Sequence, residues 1–266
     1  MLRIAIAGAS GRMGKMLIEA VANADDMTLA GALDIGTSPA IGSDPTAFLG
    51  KSCNLRVTAD LAKGLQDADV LIDFTRPAAT LSHLAACRRN GTRMVIGTTG
   101  FTDAERAMIQ DAARDTAIML APNMSIGVNV ALKLIDMATR ALAAGCDIEI
   151  VESHHRDKVD APSGTALKMG EVVAQAQGKR LEDLGVHDRH GHTGARPPGS
   201  VGFSAIRGGD IVGEHTVMFI GSGERIEITH RSTSRANYAQ GSLRAARFIA
   251  SRSTGLYDMD DVLGLR

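Results

Sequence analysis

The chain has 266 residues, of which 44% are hydrophobic and 22% charged, and its formal net charge at pH 7 is −1. This length and composition predict a soluble globular protein with one large domain or two smaller ones. The near-zero charge offers no basic excess for nucleic acid or an anionic membrane, and an aromatic content of 3% without Trp argues against base-stacking surfaces.

The chain carries no signal for membrane insertion or export. No apolar run approaches the roughly 20 residues of a membrane helix, and the N-terminus lacks a signal-peptide pattern. The three cysteines, Cys53, Cys87 and Cys146, lie far apart and form no C-x-x-C pair. We therefore predict a cytoplasmic protein with reduced thiols, in which Cys87 packs inside a helix; a catalytic thiol is the less favoured alternative.

The N-terminus predicts a nucleotide-binding turn. Leu2–Ala7 form an apolar strand that runs into G-A-S-G-R-M-G, and apolar residues follow at helical spacing. Gly8, Gly11 and Gly14 give G-x-x-G-x-x-G, a variant of the dinucleotide fingerprint, whose glycines permit a tight turn, close approach of a pyrophosphate and packing of helix on strand. A Walker phosphate loop is excluded, because Lys15 is followed by Met16 instead of Ser or Thr.

The second strand, Met27–Leu33, ends at Asp34. A carboxylate about 20 residues beyond the glycine turn accepts hydrogen bonds from the adenine ribose in dinucleotide domains. The alternative is that Asp34 is a turn residue before Gly36.

Strands and helices then alternate. Three apolar runs predict buried strands: Val70–Phe74, Arg93–Gly97 and Ala117–Ala121. One helix is expected to begin at Pro77 and another at the capping box Thr102–Glu105. The alternation predicts an α/β, Rossmann-like, doubly wound parallel sheet, in which ligands bind beyond the carboxyl ends of the strands. Residues expected at those ends are Gly8, Asp34, Thr75, Gly97, Thr98, Thr99 and Asn123.

The second half predicts an α+β domain with an open mixed sheet. A long helix covers 125–144, a strand lies near 148–152, and three alternating segments at 201–207, 211–220 and 224–231 read as sequential hairpins. A last helix, 234–250, is expected to return to the first domain. The expected domains are 1–124 plus 235–266 for the dinucleotide, and 125–234 for substrate binding and oligomerisation.

The segment 185–199 has no periodicity and reads as a mobile loop. Its three histidines, His187, His190 and His192, lack cysteine partners, and their spacing matches no common structural zinc site. We therefore predict no metal.

The most informative stretch is Glu149–Leu167, which reads as a strand, a charged loop and a helix N-terminus. His154, His155 and Lys158 precede Ser163-Gly164-Thr165, where free backbone N–H groups and the helix dipole suit a carboxylate or a phosphate. Histidine and lysine beside such an anion are able to deliver protons. The alternative is a solvated turn with an ordinary helix cap.

The second sheet needs a cover for its open face. We expect either a second subunit against Met218, Ile220, Ile226 and Ile228, or the long helix of the chain itself.

Several long motifs together resemble the bacterial 4-hydroxy-tetrahydrodipicolinate reductases (dihydrodipicolinate reductases) of lysine and diaminopimelate biosynthesis. They occur in the family's order along nearly the whole chain: G-A-S-G-R-M-G, D-F-T-R-P, V-I-G-T-T-G-F, S-H-H-R-D-K-V-D-A-P-S-G-T-A and D-I-V-G-E-H-T-V-M-F. The histidine-lysine motif is highly specific, whereas the glycine turn is not.

The resemblance implies reduction of a cyclic dicarboxylate to tetrahydrodipicolinate by NADH or NADPH, with loss of water, in a homotetramer assembled through the second domain. His154 is implied as the general acid or base and Lys158 as its cationic partner, with His155, Ser163, Gly164 and Thr165 binding substrate carboxylate. The implied cofactor residues are Gly8, Ala9, Ser10, Gly11, Arg12, Met13, Asp34, Gly97, Thr98, Thr99, Ala121, Pro122, Asn123 and Met124.

One position departs from several family members, which have a basic residue after the acid that ends the second strand. Here Ile35 follows Asp34. Because a carboxylate repels a 2′-phosphate and no adjacent cation compensates, we expect NADH to serve at least as well as NADPH. Arg12 is a remaining candidate for phosphate contact.

Two other functions compete with this interpretation. A thiol-dependent aldehyde dehydrogenase needs a cysteine in a glycine- or histidine-rich turn, and none of the three lies in one. A regulator that senses NAD(H) without turnover has no use for His154, His155 and Lys158 beside a helix N-terminus. Which of His154 and Lys158 delivers the proton stays open, because adjacent cations titrate together.

Overall fold

The computed structural model describes residues 1–266 and divides into two compact units. The first comprises Met1–Ile126 and Ala236–Arg266, and the second Gly127–Arg235. No helix combines the length and apolar character that crossing a membrane requires.

The first unit is built on a six-stranded parallel sheet of order β11-β5-β4-β3-β1-β2. Its strands are β1 (Leu2–Ala7), β2 (Met27–Leu33), β3 (Val70–Asp73), β4 (Arg93–Ile96), β5 (Ala117–Leu120) and β11 (Gly255–Tyr257). The central strands β1, β3 and β4 are almost continuously apolar and buried, as expected when helices cover both faces of a parallel sheet. The predicted doubly wound sheet is confirmed.

Helices cover the two faces of this sheet with separate cores. They are α1 (Arg12–Ala22), α2 (Leu61–Leu65), α3 (Pro77–Asn90), α4 (Asp103–Ala112), α8 (Ala236–Ala250) and α9 (Met259–Leu263). One core joins α1, α8 and α9 to the sheet, and the other joins α2, α3 and α4 to the opposite face. Helix α3 ends at Gly91, whose φ of +71° is left-handed, and α4 begins with the predicted capping box between Thr102 and Glu105.

The second unit is a five-stranded mixed sheet of order β10-β9-β6-β8-β7. Its strands are β6 (Asp147–His154), β7 (Gly185–Val186), β8 (Val201–Arg207), β9 (Gly213–Ile220) and β10 (Arg225–Ser232). Its helices are α5 (Ile126–Leu142), α6 (Gly164–Ala176) and α7 (Leu181–Leu184). Ile135 of α5 and Met169 and Val173 of α6 share one core with Ile150 and Phe219 of the sheet.

The prediction of sequential hairpins was wrong for the first pair. Strands β9 and β10 do form a hairpin, but β8 does not pair with β9, because β6 lies between them, parallel to β8 and antiparallel to β9. The loop after Arg207 passes round the end of β6, where Gly208 donates its N–H to the His154 carbonyl and His155 donates to the Ile211 carbonyl. Gly208 and Gly209 therefore lie in a connection that crosses the end of β6, and not in a tight hairpin turn.

The four apolar residues expected to meet a second subunit do not share one face. In the β9–β10 register, Ile226 lies opposite Phe219 and Ile228 opposite Val217, on the face that α5 and α6 cover. The other face carries Met218 and Ile220, with Glu227 and Arg225 opposite them. The chain's own helices therefore cover one face, and the opposite face is more polar than the sequence pattern indicated.

The expectation of a mobile loop at 185–199 was wrong at its anchored parts. Gly185–Val186 pair with β8 as β7, and the ring of His187 stacks on Phe203 with centroids 4.8 Å apart. Arg196 donates to the carbonyls of Ile148 and Ser200 and pairs with Glu149. Backbone pairing and partly buried ion pairs, neither of which produces a periodic pattern in the sequence, hold these parts of the segment on the sheet.

Candidate functional site

The turn after β1 has the backbone that nucleotide binding requires. Gly8 has a left-handed φ of +69°, and a Cβ at Gly14 would overlap the Gly8 carbonyl oxygen, so glycine is needed at both positions. Gly11 precedes α1 without any side-chain cap. The first N–H groups of α1 therefore remain available for a pyrophosphate.

Asp34 closes over this turn. Its Oδ2 atom accepts the Ser10 N–H at 2.9 Å, and its Oδ1 atom accepts the Ile35 N–H at 2.9 Å. The exposed Arg12 begins α1 in the same turn. The residues expected to hold pyrophosphate and ribose are thus brought together by a direct hydrogen bond.

The other expected cofactor residues lie at the ends of β4 and β5. A Cβ at Gly97 would overlap the Phe74 ring, and Thr98 is buried with its hydroxyl 2.9 Å from that of Thr80. Thr99 is exposed. After β5, Ala121 and Met124 are buried, Pro122 is exposed and Asn123 is half-buried. The Ala121 N–H donates to the Ile96 carbonyl, which ties the two loops together.

In the second unit, His154 is the last residue of β6, is 9% exposed, and is held by a hydrogen bond to its ring. Its Nδ1 atom lies 2.6 Å from Oε2 of Glu152, two residues earlier on the same face of the strand. Glu152 is only 1% exposed. The pair leaves Nε2 as the one ring nitrogen of His154 without a hydrogen bond inside the protein.

Arg207 compensates the buried charge of Glu152. Its Nη1 and Nη2 atoms each donate to one carboxylate oxygen at 2.7 Å, in the bidentate arrangement typical of strong Arg–carboxylate pairs. Burial acts to raise the pKa of Glu152, but the hydrogen bonds from Arg207 and His154 outweigh it, and the pKa is lowered. Glu152 is therefore ionised at neutral pH.

The start of α6 is joined to the same carboxylate. The Ser163 N–H donates to Oε1 of Glu152 at 3.1 Å, and the Ser163 hydroxyl caps the helix by accepting the Ala166 N–H at 3.2 Å. The N–H groups of Gly164 and Thr165 precede the first intrahelical bond and have no partner within the chain. This N-terminus of a 13-residue helix is suited to an anion.

His215, on β9, contacts the side chain of Ser163. Its Nε2 atom lies 2.8 Å from the Ser163 hydroxyl, and its ring meets that of His154 edge-on with centroids 5.1 Å apart. Burial, and secondly the neighbouring His154, lowers the pKa of His215 to about 4. His215 is thus neutral at pH 7, with a buried Nδ1 atom that has no hydrogen-bond partner.

The charged loop adds cations at this end of the sheet. Lys158 is 20% exposed and pairs with Asp160 at 2.7 Å, and its hydrogen bond lowers the pKa of Asp160. The Asp160 carbonyl in turn accepts from Arg207 at 2.6 Å. His155 is half-buried, and its backbone N–H holds the crossover loop.

Sequence reasoning missed Glu152, Arg207 and His215. Glu152 had a signal, since alternation along β6 puts it on the same face as His154. Arg207 and His215 had none nearby, because the β6–β8 and β6–β9 pairings that deliver them depend on long-range register.

Two of the three cysteines lie in surroundings that do not favour a nucleophilic thiol. Cys87 is fully buried on α3, and burial raises the pKa of its thiol to about 12. Cys53 donates its thiol to Asp44 at 3.3 Å. These placements disfavour the thiol-dependent dehydrogenase.

A parallel sheet with an uncapped glycine turn, joined in one chain to a buried histidine beside a free helix N-terminus, is the arrangement expected of a two-unit dinucleotide-dependent oxidoreductase. Comparison with models of known protein families identifies the family to which the chain belongs. The model for the dihydrodipicolinate reductase N-terminus matches residues 2–124, and that for the C-terminus matches 127–263. The chain belongs to the dihydrodipicolinate reductase family, which confirms the resemblance, the enzyme class and the reaction expected from the sequence.

Individual relatives agree. The chain is 64% identical to a 4-hydroxy-tetrahydrodipicolinate reductase of Herminiimonas arsenicoxydans, over 100% of this chain and 99% of the relative. It is 62% identical to one from Janthinobacterium sp., with the same coverage. A solved dipicolinate-bound dihydrodipicolinate reductase from Paenisporosarcina sp. is 27% identical, with a TM-score of 0.79 and 98% of each chain covered.

Proposed function

We propose that the residues around Glu152 carry out the substrate half of the reaction that this family catalyses, the NAD(P)H-dependent reduction of 4-hydroxy-tetrahydrodipicolinate with loss of water. One observation supports this most directly. A single carboxylate, Glu152, binds both the ring of His154 and the N–H of Ser163, so a proton carrier and an anion-binding helix start are held in one fixed arrangement.

The substrate would be held as an anion. The free N–H groups of Gly164 and Thr165 donate to one carboxylate, and His155 and Lys158 add positive charge beside it. Ser163 positions this helix start through its cap. The dipicolinate bound by the Paenisporosarcina relative is a dicarboxylate of this class.

His154 would supply the proton. Reduction of a conjugated imine leaves electron density that a nearby acid must quench, and a positioned acid contributes roughly 10²–10⁴-fold in rate. His154 reaches the substrate through Nε2, and Lys158 stabilises the negative charge of the bound anion.

The first unit would hold the dinucleotide, whose nicotinamide supplies the hydride. The close approach of backbone at Gly8 and Gly14 and the uncapped start of α1 fit a pyrophosphate bound by Ala9–Met13. Asp34 fits an adenine ribose, and Gly97–Thr99 and Ala121–Met124 fit the remaining half. Because Ile35 and not a cation follows Asp34, the proposed preference is for NADH or for neither cofactor.

A homotetramer assembled through the second unit is part of the proposal. Its outward sheet face offers Met218 and Ile220 beside the exposed pair Arg225–Glu227. Sedimentation or light scattering of the purified protein measures the subunit number.

The direct test follows NADH absorbance while the condensation product of pyruvate and aspartate semialdehyde is supplied. We expect oxidation of NADH only when both precursors and the condensing enzyme are present. Absence of turnover with NADH and with NADPH would reject the proposed reaction.

A further inference from the structure

Glu152 has its full complement of hydrogen bonds. Oε1 accepts from the Ser163 N–H at 3.1 Å and from Arg207 Nη2 at 2.7 Å, while Oε2 accepts from Arg207 Nη1 at 2.7 Å and from His154 Nδ1 at 2.6 Å. An ionised carboxylate is acceptor-only, so each of its four partners has to be a donor. Nδ1 of His154 must therefore carry a hydrogen.

This requirement fixes the chemistry of the imidazole. With Nδ1–H bound to Glu152, neutral His154 presents a bare Nε2, and charged His154 presents Nε2–H. Exchange with a substrate is then confined to Nε2, since release from Nδ1 would leave the buried carboxylate with an unpaired side. We propose that Glu152 is a positioning residue, which with Arg207 fixes the ring and tautomer of His154 so that its proton leaves and returns through Nε2 alone.

Arg207 has a separate part in this arrangement. A buried carboxylate without a cationic partner is destabilising, because the protein interior solvates its charge poorly. The bidentate guanidinium supplies that partner and fixes the orientation of both carboxylate oxygens. Of the other titratable groups nearby, His215 from β9 meets the ring edge-on, and the charged loop that follows His154 carries His155 and the ion pair of Lys158 with Asp160.

The inference rests on the proposed function, and the first experiment is independent of turnover. In protein labelled with ¹⁵N-histidine, the His154 signals are identified by their loss in His154→Gln. We expect neutral His154 to be in the Nδ1–H form in the wild type. A dominant Nε2–H form would overturn the proposal, whether or not the protein reduces the expected substrate.

The second experiment compares Glu152→Gln with Glu149→Gln. Glu149 lies on the same strand and also pairs with arginine, but with Arg189 and Arg196 and without contact to His154. In Glu152→Gln the new amide NH2 group must face at least one of the donors that the carboxylate now accepts from. We expect kcat to fall at least about tenfold in Glu152→Gln, with an altered pH profile of kcat, and little change of either in Glu149→Gln.

A double variant separates positioning from general stability. If Glu152 acts through His154, then Glu152→Gln lowers kcat much less in a His154→Gln background than in the wild type. Additive losses, or a Glu152→Gln variant with wild-type kcat and pH profile, would overturn the inference. Turnover absent from the wild type would instead reject the proposed function and leave the tautomer measurement standing.

Discussion

Gly213 faces Nε2 of His154 so closely that a Cβ at this position would lie 3.0 Å from that nitrogen. Gly213 begins β9, directly after the crossover loop. We therefore predict that Gly213→Ala lowers kcat several-fold or more, because the methyl group competes with substrate for Nε2 or displaces the ring. Gly208→Ala, whose Cβ would meet no atom within 4 Å, is the control and should keep wild-type kinetics. A normal kcat in Gly213→Ala would mean that Nε2 does not face the reacting atoms.

Replacing His154 by Gln tests the proton carrier itself. Glutamine can hydrogen-bond but cannot transfer a proton, so turnover should fall at least about a hundredfold. Binding of NADH, followed by its fluorescence, should stay as in the wild type. The exposed His192 provides the control substitution, His192→Gln. Unchanged turnover in His154→Gln would remove this residue from the proposed mechanism.

Gly164 allows one backbone N–H to be deleted. Proline is tolerated at the first position of a helix, and Ser163 before it already has the extended φ of −66° and ψ of 154° that precede proline. We expect Gly164→Pro to raise KM for the dicarboxylate about tenfold or more, since a hydrogen bond to a charged group contributes roughly 1.5–3 kcal/mol. Gly164→Ala retains the N–H and should bind normally. Equal KM values for the two variants would contradict carboxylate binding there.

The residue after Asp34 should set cofactor choice. We expect wild-type kcat/KM for NADH to equal or exceed that for NADPH, and Ile35→Arg to raise the NADPH value several-fold by pairing with the 2′-phosphate. Ile35 is 65% exposed, so the longer side chain has room. Ile41→Arg, at another exposed isoleucine of the same segment, adds the same charge elsewhere and should change neither value. A tenfold NADPH preference in the wild type would refute this prediction.

His215 should make the fold sensitive to acid. Its pKa is lowered to about 4 in the folded protein, against roughly 6.5 when unfolded, so the unfolded chain binds the extra proton between these values. Stability contributed by neutral His215 is complete above pH 6.5 and falls as the pH drops towards 4, with a loss of about 2 kcal/mol by pH 5. Urea unfolding followed by circular dichroism at pH 7.5 and pH 5 measures this difference.

The matched variants are His215→Asn and His192→Asn. The first should show a smaller difference in unfolding free energy between the two pH values, and the second the wild-type difference. Burial also lowers the pKa of His230, which acts in the same direction, so the difference shrinks without vanishing. A wild-type difference in His215→Asn would show that another group is responsible.

Local sequence patterns predicted the strands and helices of the first unit well. The strands of a parallel sheet are short apolar runs, and glycine or helix-capping residues mark where they end. Strands β1 and β2 and the starts of α3 and α4 lie where these signals placed them. The second sheet was predicted as mixed, but its strand order was not. Alternation of apolar and polar residues indicates which side chains share a face of the sheet, but it does not indicate which strands are neighbours. The position of β6 between β8 and β9 was therefore not expected.

The inability to predict strand neighbours from the sequence also explains which residues of the candidate site were recognised and which were missed. His154, Lys158 and Ser163 to Thr165 lie in one short segment and were recognised from a single motif. Arg207 pairs with Glu152 across 55 positions and His215 with Ser163 across 52. Such partners become visible only once the strand register is known.

The crossover of the chain round the end of β6 also bears on protein engineering. Grafting residues 149–167 onto another scaffold would transfer the histidines, the lysine and the helix start, but would leave behind the guanidinium and the second imidazole that the flanking strands supply. A minimal transplant of this chemistry would therefore have to include all three central strands together with their connecting loop.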